Sequence, residues 1–239
     1  MRTLIAAFAL TATFLVFGCA AHASLRVNPL IIELSPDSQN TSSVVEITNV
    51  TDKDIPLEIS VVQRTVVDSA EVDVPADDDF VIFPPQLILP AGETQVLRLQ
   101  WLGTNVSGMS ESFYVRVTQI PAELDPGKSG VRISYQFGIS VHVTPRGVSA
   151  DLQAVSLVPV AKDGVQGFEL TVRNNGTKYA RLSEHDIRIG SGIDLSREEV
   201  RETIGTGFLL PGQERVFFIP HEGEIPDDLT ADLVYRGAL

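Results

Sequence analysis

The sequence predicts an all-β protein made of two tandem β-sandwiches, and three observations carry that prediction. From Leu25 onward, short runs of apolar and polar residues alternate with a period of two, with clusters of Pro, Gly, Asn and Asp between them. No window of about 12 residues shows an apolar stripe of helical period; the nearest, around Arg197 to Thr203, reads as too polar to bury a face. Near the middle, Thr144-Pro145-Arg146-Gly147 breaks the pattern: Pro cannot continue a central ladder, and the Gly behind it permits a turn.

The size and charge suit that reading. The chain has 239 residues, 44% hydrophobic, with 14 Pro, 18 Gly and one Cys. That length accommodates two domains of about 100–120 residues each. A net charge of −13 argues against partners that demand a basic face, so nucleic acid and anionic membrane surfaces are not expected. A single cysteine excludes a disulfide scaffold and a Cys-rich metal site.

Taken in order, the chain begins with Met1-Arg2, an apolar run from Leu4 to Phe17, and the small-residue exit Ala21-His22-Ala23. This has the layout of a secretory signal peptide over residues 1–23, and the run is shorter than the ~20 residues of a membrane span, so no insertion of the mature chain is expected. Lipid attachment at Cys19 is the competing reading; the bulky Phe17 weighs against it.

The first sandwich is placed at 24–145. Its strands are read from Ser43-Val44-Val45-Glu46-Ile47, Leu57-Glu58-Ile59-Ser60-Val61, Phe80-Val81-Ile82-Phe83, Gln95-Val96-Leu97-Arg98-Leu99-Gln100 and Phe113-Tyr114-Val115-Arg116-Val117. The second, at 146–239, includes Phe168-Glu169-Leu170-Thr171-Val172 and Val216-Phe217-Phe218-Ile219. The halves repeat in outline. Ile47-Thr48-Asn49-Val50-Thr51-Asp52 and Leu89-Pro90-Ala91-Gly92-Glu93 in one answer to Val172-Arg173-Asn174-Asn175-Gly176-Thr177 and Leu210-Pro211-Gly212-Gln213-Glu214 in the other.

One stretch departs from the norm. Every odd position from Val131 to Val143 is apolar, which makes a single strand about 43 Å long at ~3.3 Å per residue, where five or six residues are typical. Two readings are open: a long core strand, or a strand whose apolar row, free of charge, Pro or bulge, is lent to a partner by β-augmentation.

Other chemistry is sparse. His142, His185 and His221 are scattered without ligand spacing and are expected at the surface. Asp77-Asp78-Asp79 reads as a solvated loop, and no phosphate loop or nucleophile turn occurs. No catalysis, cofactor or metal is expected.

These residues resemble the PapD-like periplasmic chaperones, which assemble pili with an outer-membrane usher. The resemblance rests on Phe83-Pro84-Pro85, then Leu89-Pro90-Ala91-Gly92-Glu93-Thr94-Gln95-Val96-Leu97-Arg98-Leu99, and then Glu111-Ser112-Phe113-Tyr114-Val115-Arg116-Val117-Thr118-Gln119-Ile120-Pro121 ahead of the alternating strand. Val172-Arg173-Asn174-Asn175-Gly176-Thr177-Lys178-Tyr179-Ala180 adds to it in the second half. It implies two immunoglobulin-like sandwiches in an L shape, a pilus or fimbrial subunit as client, delivery to an usher, and a periplasmic location. It also implies donor strand complementation, in which Val131, Ile133, Tyr135 and Phe137, continued by Ile139, fill the groove of a subunit that lacks a strand. Whether the unbound protein caps this strand as a dimer is left open.

The family's cleft holds the subunit's terminal carboxylate with a basic pair. The matching positions here are Ile31 and Ser140, neither of which carries charge. The chain therefore reads as a divergent branch, with Arg26 and Arg146 the nearest substitute anchors and an Arg146–Glu111 pair across the cleft as a hypothesis. The alternative function is a secreted structural or adhesive immunoglobulin-like module, or a fibre subunit.

Overall fold

The computed structural model describes residues 25–38, 40–68, 70–103, 108–121 and 134–237. The signal reading of residues 1–23 and the positions Val131 and Ile133 lie outside the described residues.

Among the described residues the first half has ten strands: β1 (Leu25–Asn28), β2 (Ile31–Leu34), β3 (Ser42–Asn49), β4 (Ile55–Val67), β5 (Ala70–Pro75), β6 (Phe80–Phe83), β7 (Gln86–Leu89), β8 (Thr94–Trp101), β9 (Glu111–Gln119) and β10 (Gln136–Val143). One sheet runs β1-β3-β8-β6; the other runs β2-β10-β9-β4-β5, with β7 also on β4. Period-two alternation decides which side chains meet between them. Val45 and Ile47 of β3, Leu97 and Leu99 of β8, and Phe113, Val115 and Val117 of β9 are all fully buried, while Val44, Val96 and Arg98 face outward.

The second half holds β11 (Leu152–Lys162), β12 (Val165–Asn174), β13 (Ala180–Arg181), β14 (His185–Ile189), β15 (Ile193–Leu195), α1 (Arg197–Ile204), β16 (Phe208–Leu209), β17 (Glu214–Pro220) and β18 (Ala231–Tyr235). Sheets β11-β12-β17 and β15-β14-β18 flank a separate core of Phe168, Leu170, Val172, Ile187, Ile189 and Ile219, and β13 pairs with β16. The architecture is thus all-β, two sandwiches in tandem.

The helix α1 corrects the sequence reading of residues 197–203. It is polar, and only Val200 is buried, but a capping box starts it: Ser196 Oγ accepts from Glu199 N–H, and Glu199 accepts from Ser196 N–H at 2.8 Å. These bonds satisfy orphan donors that a short helix would otherwise leave to water, so little apolar burial is required. Gly205, at φ 77°, ends it.

The outline repeat is physical. Asn49 and Asn174 are both fully buried at the ends of β3 and β12. Asn49 Nδ2 donates to the carbonyls of Lys53, Leu89 and Pro90, and Asn174 Nδ2 to those of Lys178 and Leu209. Their Oδ1 atoms accept from Thr51 N–H and Gly176 N–H. Each amide therefore closes its own turn and ties it to the Pro-Gly turn of its half. The hydrogen bonds match Leu89 with Leu209, one residue earlier than the sequence outline suggests.

Candidate functional site

β10 is covered on one side along its whole length by β9, with residues 136–143 opposite 118–111. On the other side β2 pairs with it in parallel only at residues 140–143. Ser140 N–H donates to Leu30 O, so the backbone groups of even-numbered residues face β2. By alternation, the N–H and C=O of Gln136 and Gly138 point to the same side, where no strand pairs with them among the described residues. Among the described residues, half of β10 is a closed core strand and half is an open edge.

Side-chain burial follows the same gradient. Tyr135, just before β10, is 37% exposed, Phe137 is half-buried against the first core, and Ile139, Val141 and Val143 are fully buried within it. The described part of the strand spans 136–143, and residues 131–133 lie outside the described residues. One sequence expectation changes here: Ile139 packs in its own domain, so its side chain is not offered to a partner.

The outer face of the same sheet forms a cleft wall. Ile31 and Ser140 are register partners on β2 and β10, and Tyr114 of β9 lies opposite Ser140. With His142 and Arg64 they face Arg181, Phe208 and Arg215 of the second half across a cleft of about 240 Å³. Its three arginines differ. Arg64 is buried, bonded to both carboxylate oxygens of Glu71 at 2.6 and 3.0 Å, and stacked over Tyr114 and Phe208. Arg181 is shared between Glu184 at 3.2 Å and Glu33 at 3.9 Å. Arg215 donates to Phe208 O at 2.6 Å, and no ion pair reaches it among the described residues. It is the uncompensated cation of the cleft.

Beside the cleft the two halves meet in an aromatic seam. His142, 1% exposed, stacks on Tyr179 with ring centroids 4.1 Å apart and on Phe208 at 5.4 Å, and its Nδ1 is 2.9 Å from Ser112 Oγ. Tyr179 O–H donates a short hydrogen bond to Glu33, and Tyr179 N–H donates to Ser110 Oγ. Burial, followed by the positive charges of Arg181, Arg64 and Lys178, pushes the His142 imidazole down to about 3. Burial and the bond to Glu33 raise the Tyr179 phenol. The expectation of surface histidines therefore fails at His142, and at buried His185, because stacking on aromatic partners across the chain is invisible in local spacing. Among the described residues, no cluster of His, Cys, Asp or Glu could hold a metal ion.

The substitute anchors proposed from sequence also give way. Arg26 lies on β1, in the opposite sheet, paired with Thr48 and exposed. Arg146 sits in the exposed turn after β10, where its backbone N–H donates to Asp37, and it does not line the cleft. No Arg146–Glu111 ion pair forms among the described residues; burial and the neighbouring Asp79 instead raise the Glu111 carboxyl.

Over residues 24–149 the sequence matches the family model described as pili and flagellar-assembly chaperone, PapD N-terminal domain. The chain belongs to the PapD-like pilus-assembly chaperones. Solved structures share the fold. One, described as a chaperone–tip adhesin complex of CFA/I fimbriae, contains a chain 15% identical, covering 89% of this chain and 99% of its own, with a TM-score of 0.53. A chain in the CsuC–CsuE pre-assembly complex from archaic Csu pili of Acinetobacter baumannii is 16% identical over 85% of this chain and 98% of its own, also at 0.53. The E. coli chaperone DraB is 19% identical, with coverages of 82% and 85% and a TM-score of 0.51. No match was found among curated proteins.

For a PapD-like chaperone, the adjacency of Ile31 and Ser140 is the informative result. The positions that the resemblance assigned to a basic pair do sit side by side at the cleft, yet bear no charge. Arg64, Arg181, Arg215 and Glu33 were missed by sequence reasoning. They come from β4, β13, β17 and β2, and no local motif joins them.

Proposed function

We propose that this chain is an exported, non-enzymatic chaperone that holds pilus or fimbrial subunits by donor strand complementation and delivers them to an outer-membrane usher. Residues 1–23 act as a cleaved signal, the working protein resides in the periplasm, and its sandwiches divide at 145/146. The open edge at Gln136 and Gly138, flanked by Tyr135 and Phe137, is the observation that carries this reading. A subunit strand or groove added there completes the backbone hydrogen bonds that β2 leaves unmade. Val131 and Ile133 continue the apolar row in sequence. Each such side chain buried in a client contributes about 1.5–3 kcal/mol before association costs.

In this reading the client's terminal carboxylate meets Arg215, supplied by the second sandwich, in place of a basic pair at Ile31 and Ser140. Ser140 contributes a hydroxyl and no charge. Co-expression with candidate pilus subunits, followed by pull-down, tests the assignment. Ile133→Asp and Tyr135→Asp are expected to abolish client recovery while leaving the chaperone soluble; normal client yield from both variants would rule out donation by this strand.

A further inference from the structure

The geometry points to Glu33 as a resident carboxylate beside the cleft that an incoming carboxylate must displace from Arg181, so that client binding is opposed from the cleft's margin and linked to the contact between the sandwiches. This rests on the proposed reading that the cleft receives a carboxylate. Glu33 is two residues beyond Ile31 on β2 and directly opposite His142 of β10. Side chains two apart on a strand share a face and are separated by about 6.6 Å. A carboxylate seated beside Ile31 and Ser140 therefore arrives within a few ångströms of a like charge.

Glu33 also occupies donors that the newcomer can use. Its carboxylate accepts from Tyr179 O–H and faces Arg181, which lines the cleft with Arg215. Arg64 is no alternative, because Glu71 already satisfies it bidentately. An entering carboxylate can therefore take over Arg181, which lines the cleft, and compete for Tyr179 O–H beside it while Glu33 turns to water. Glu33 is half-exposed on its side chain, so this exchange requires no repacking of either core. Since Glu33 belongs to the first half and Tyr179 and Arg181 to the second, the swap also replaces a bond across the seam with one through the ligand.

The test uses the full mature chain and two probes, N-acetyl-dialanine with a free carboxylate and its C-terminal amide, titrated against wild type and Glu33→Gln and followed by NMR of the arginine Nε–H signals. Glutamine keeps an acceptor for Tyr179 O–H and removes the charge. The acid is expected to bind Glu33→Gln about two- to fivefold more tightly than wild type, in line with a partly exposed ion pair, with the amide unaffected. If both proteins prefer the acid to the amide but Glu33→Gln binds it no more tightly, the role of Glu33 is refuted and the cleft reading stands. If neither protein distinguishes acid from amide, the cleft reading itself fails, and this inference with it.

Discussion

Ile31 and Ser140 are Cα partners in the parallel ladder between β2 and β10, and both face the cleft. Two neutral side chains thus stand where the family resemblance places a basic pair. Arg215, from the other sandwich, lines the same cleft and is in no ion pair among the described residues.

This relationship yields a gain-of-function prediction. Ile31→Arg combined with Ser140→Lys should tighten binding of a carboxylate-terminated peptide by tenfold or more, since charge-assisted bonds are roughly twice as strong as neutral ones. Isothermal titration at two salt concentrations checks it: the gain should shrink at high salt. An unchanged affinity at low salt would show that the ligand does not reach this wall.

The twin asparagines predict matched stability losses. Asn49→Ala removes a buried amide that donates to the carbonyls of buried Leu89 and of Pro90. The expected destabilisation is about 2–4 kcal/mol. Asn174→Ala should cost somewhat less, with Leu209 O bonded at only 3.4 Å. Urea unfolding of each variant measures both.

His142 gives a pH dependence with a definite sign. Its folded pKa, about 3, lies below the ordinary imidazole value of 6.5. The unfolded chain therefore binds a proton that the folded chain refuses. Stability contributed by this group is present above pH 6.5 and is lost as pH falls toward 3, at up to about 1.4 kcal/mol per pH unit. His142→Gln should flatten the stability profile between pH 7 and 4 in denaturant titrations, even though losing the ring stack lowers stability at every pH.

Arg64 predicts an asymmetric pair. Glu71→Ala leaves a buried guanidinium without its carboxylate and should destabilise the first sandwich by about 3 kcal/mol. Arg64→Met with Glu71→Leu should recover much of that loss, because apolar replacements avoid the desolvation cost. Thermal unfolding of the single and double variants distinguishes the two cases.

Much of the fold was legible in the amino-acid order. Alternation along Val96, Leu97, Arg98 and Leu99 tells which side chains enter the core, because a strand's period is two and depends on nothing beyond the strand. The unusual apolar row was legible for the same reason, and so were the Asn turns in each half. The short helix was not recognised, although its Ser196-to-Glu199 capping box was present in the sequence; apolar periodicity was the wrong signal for a helix held by its caps.

What the sequence determined by itself was therefore local: two β-rich halves, a long alternating apolar row, and neutral residues at Ile31 and Ser140. Only the tertiary structure decided where the strand stops being core and becomes edge. That point is Ile139, buried in its own domain, beyond which β2 covers one side of β10. The same is true of the cleft, whose arginines come from β4, β13 and β17. Periodicity reports which face a residue takes, but convergence of distant side chains depends on how strands pair and how two sandwiches meet, and no local pattern encodes that.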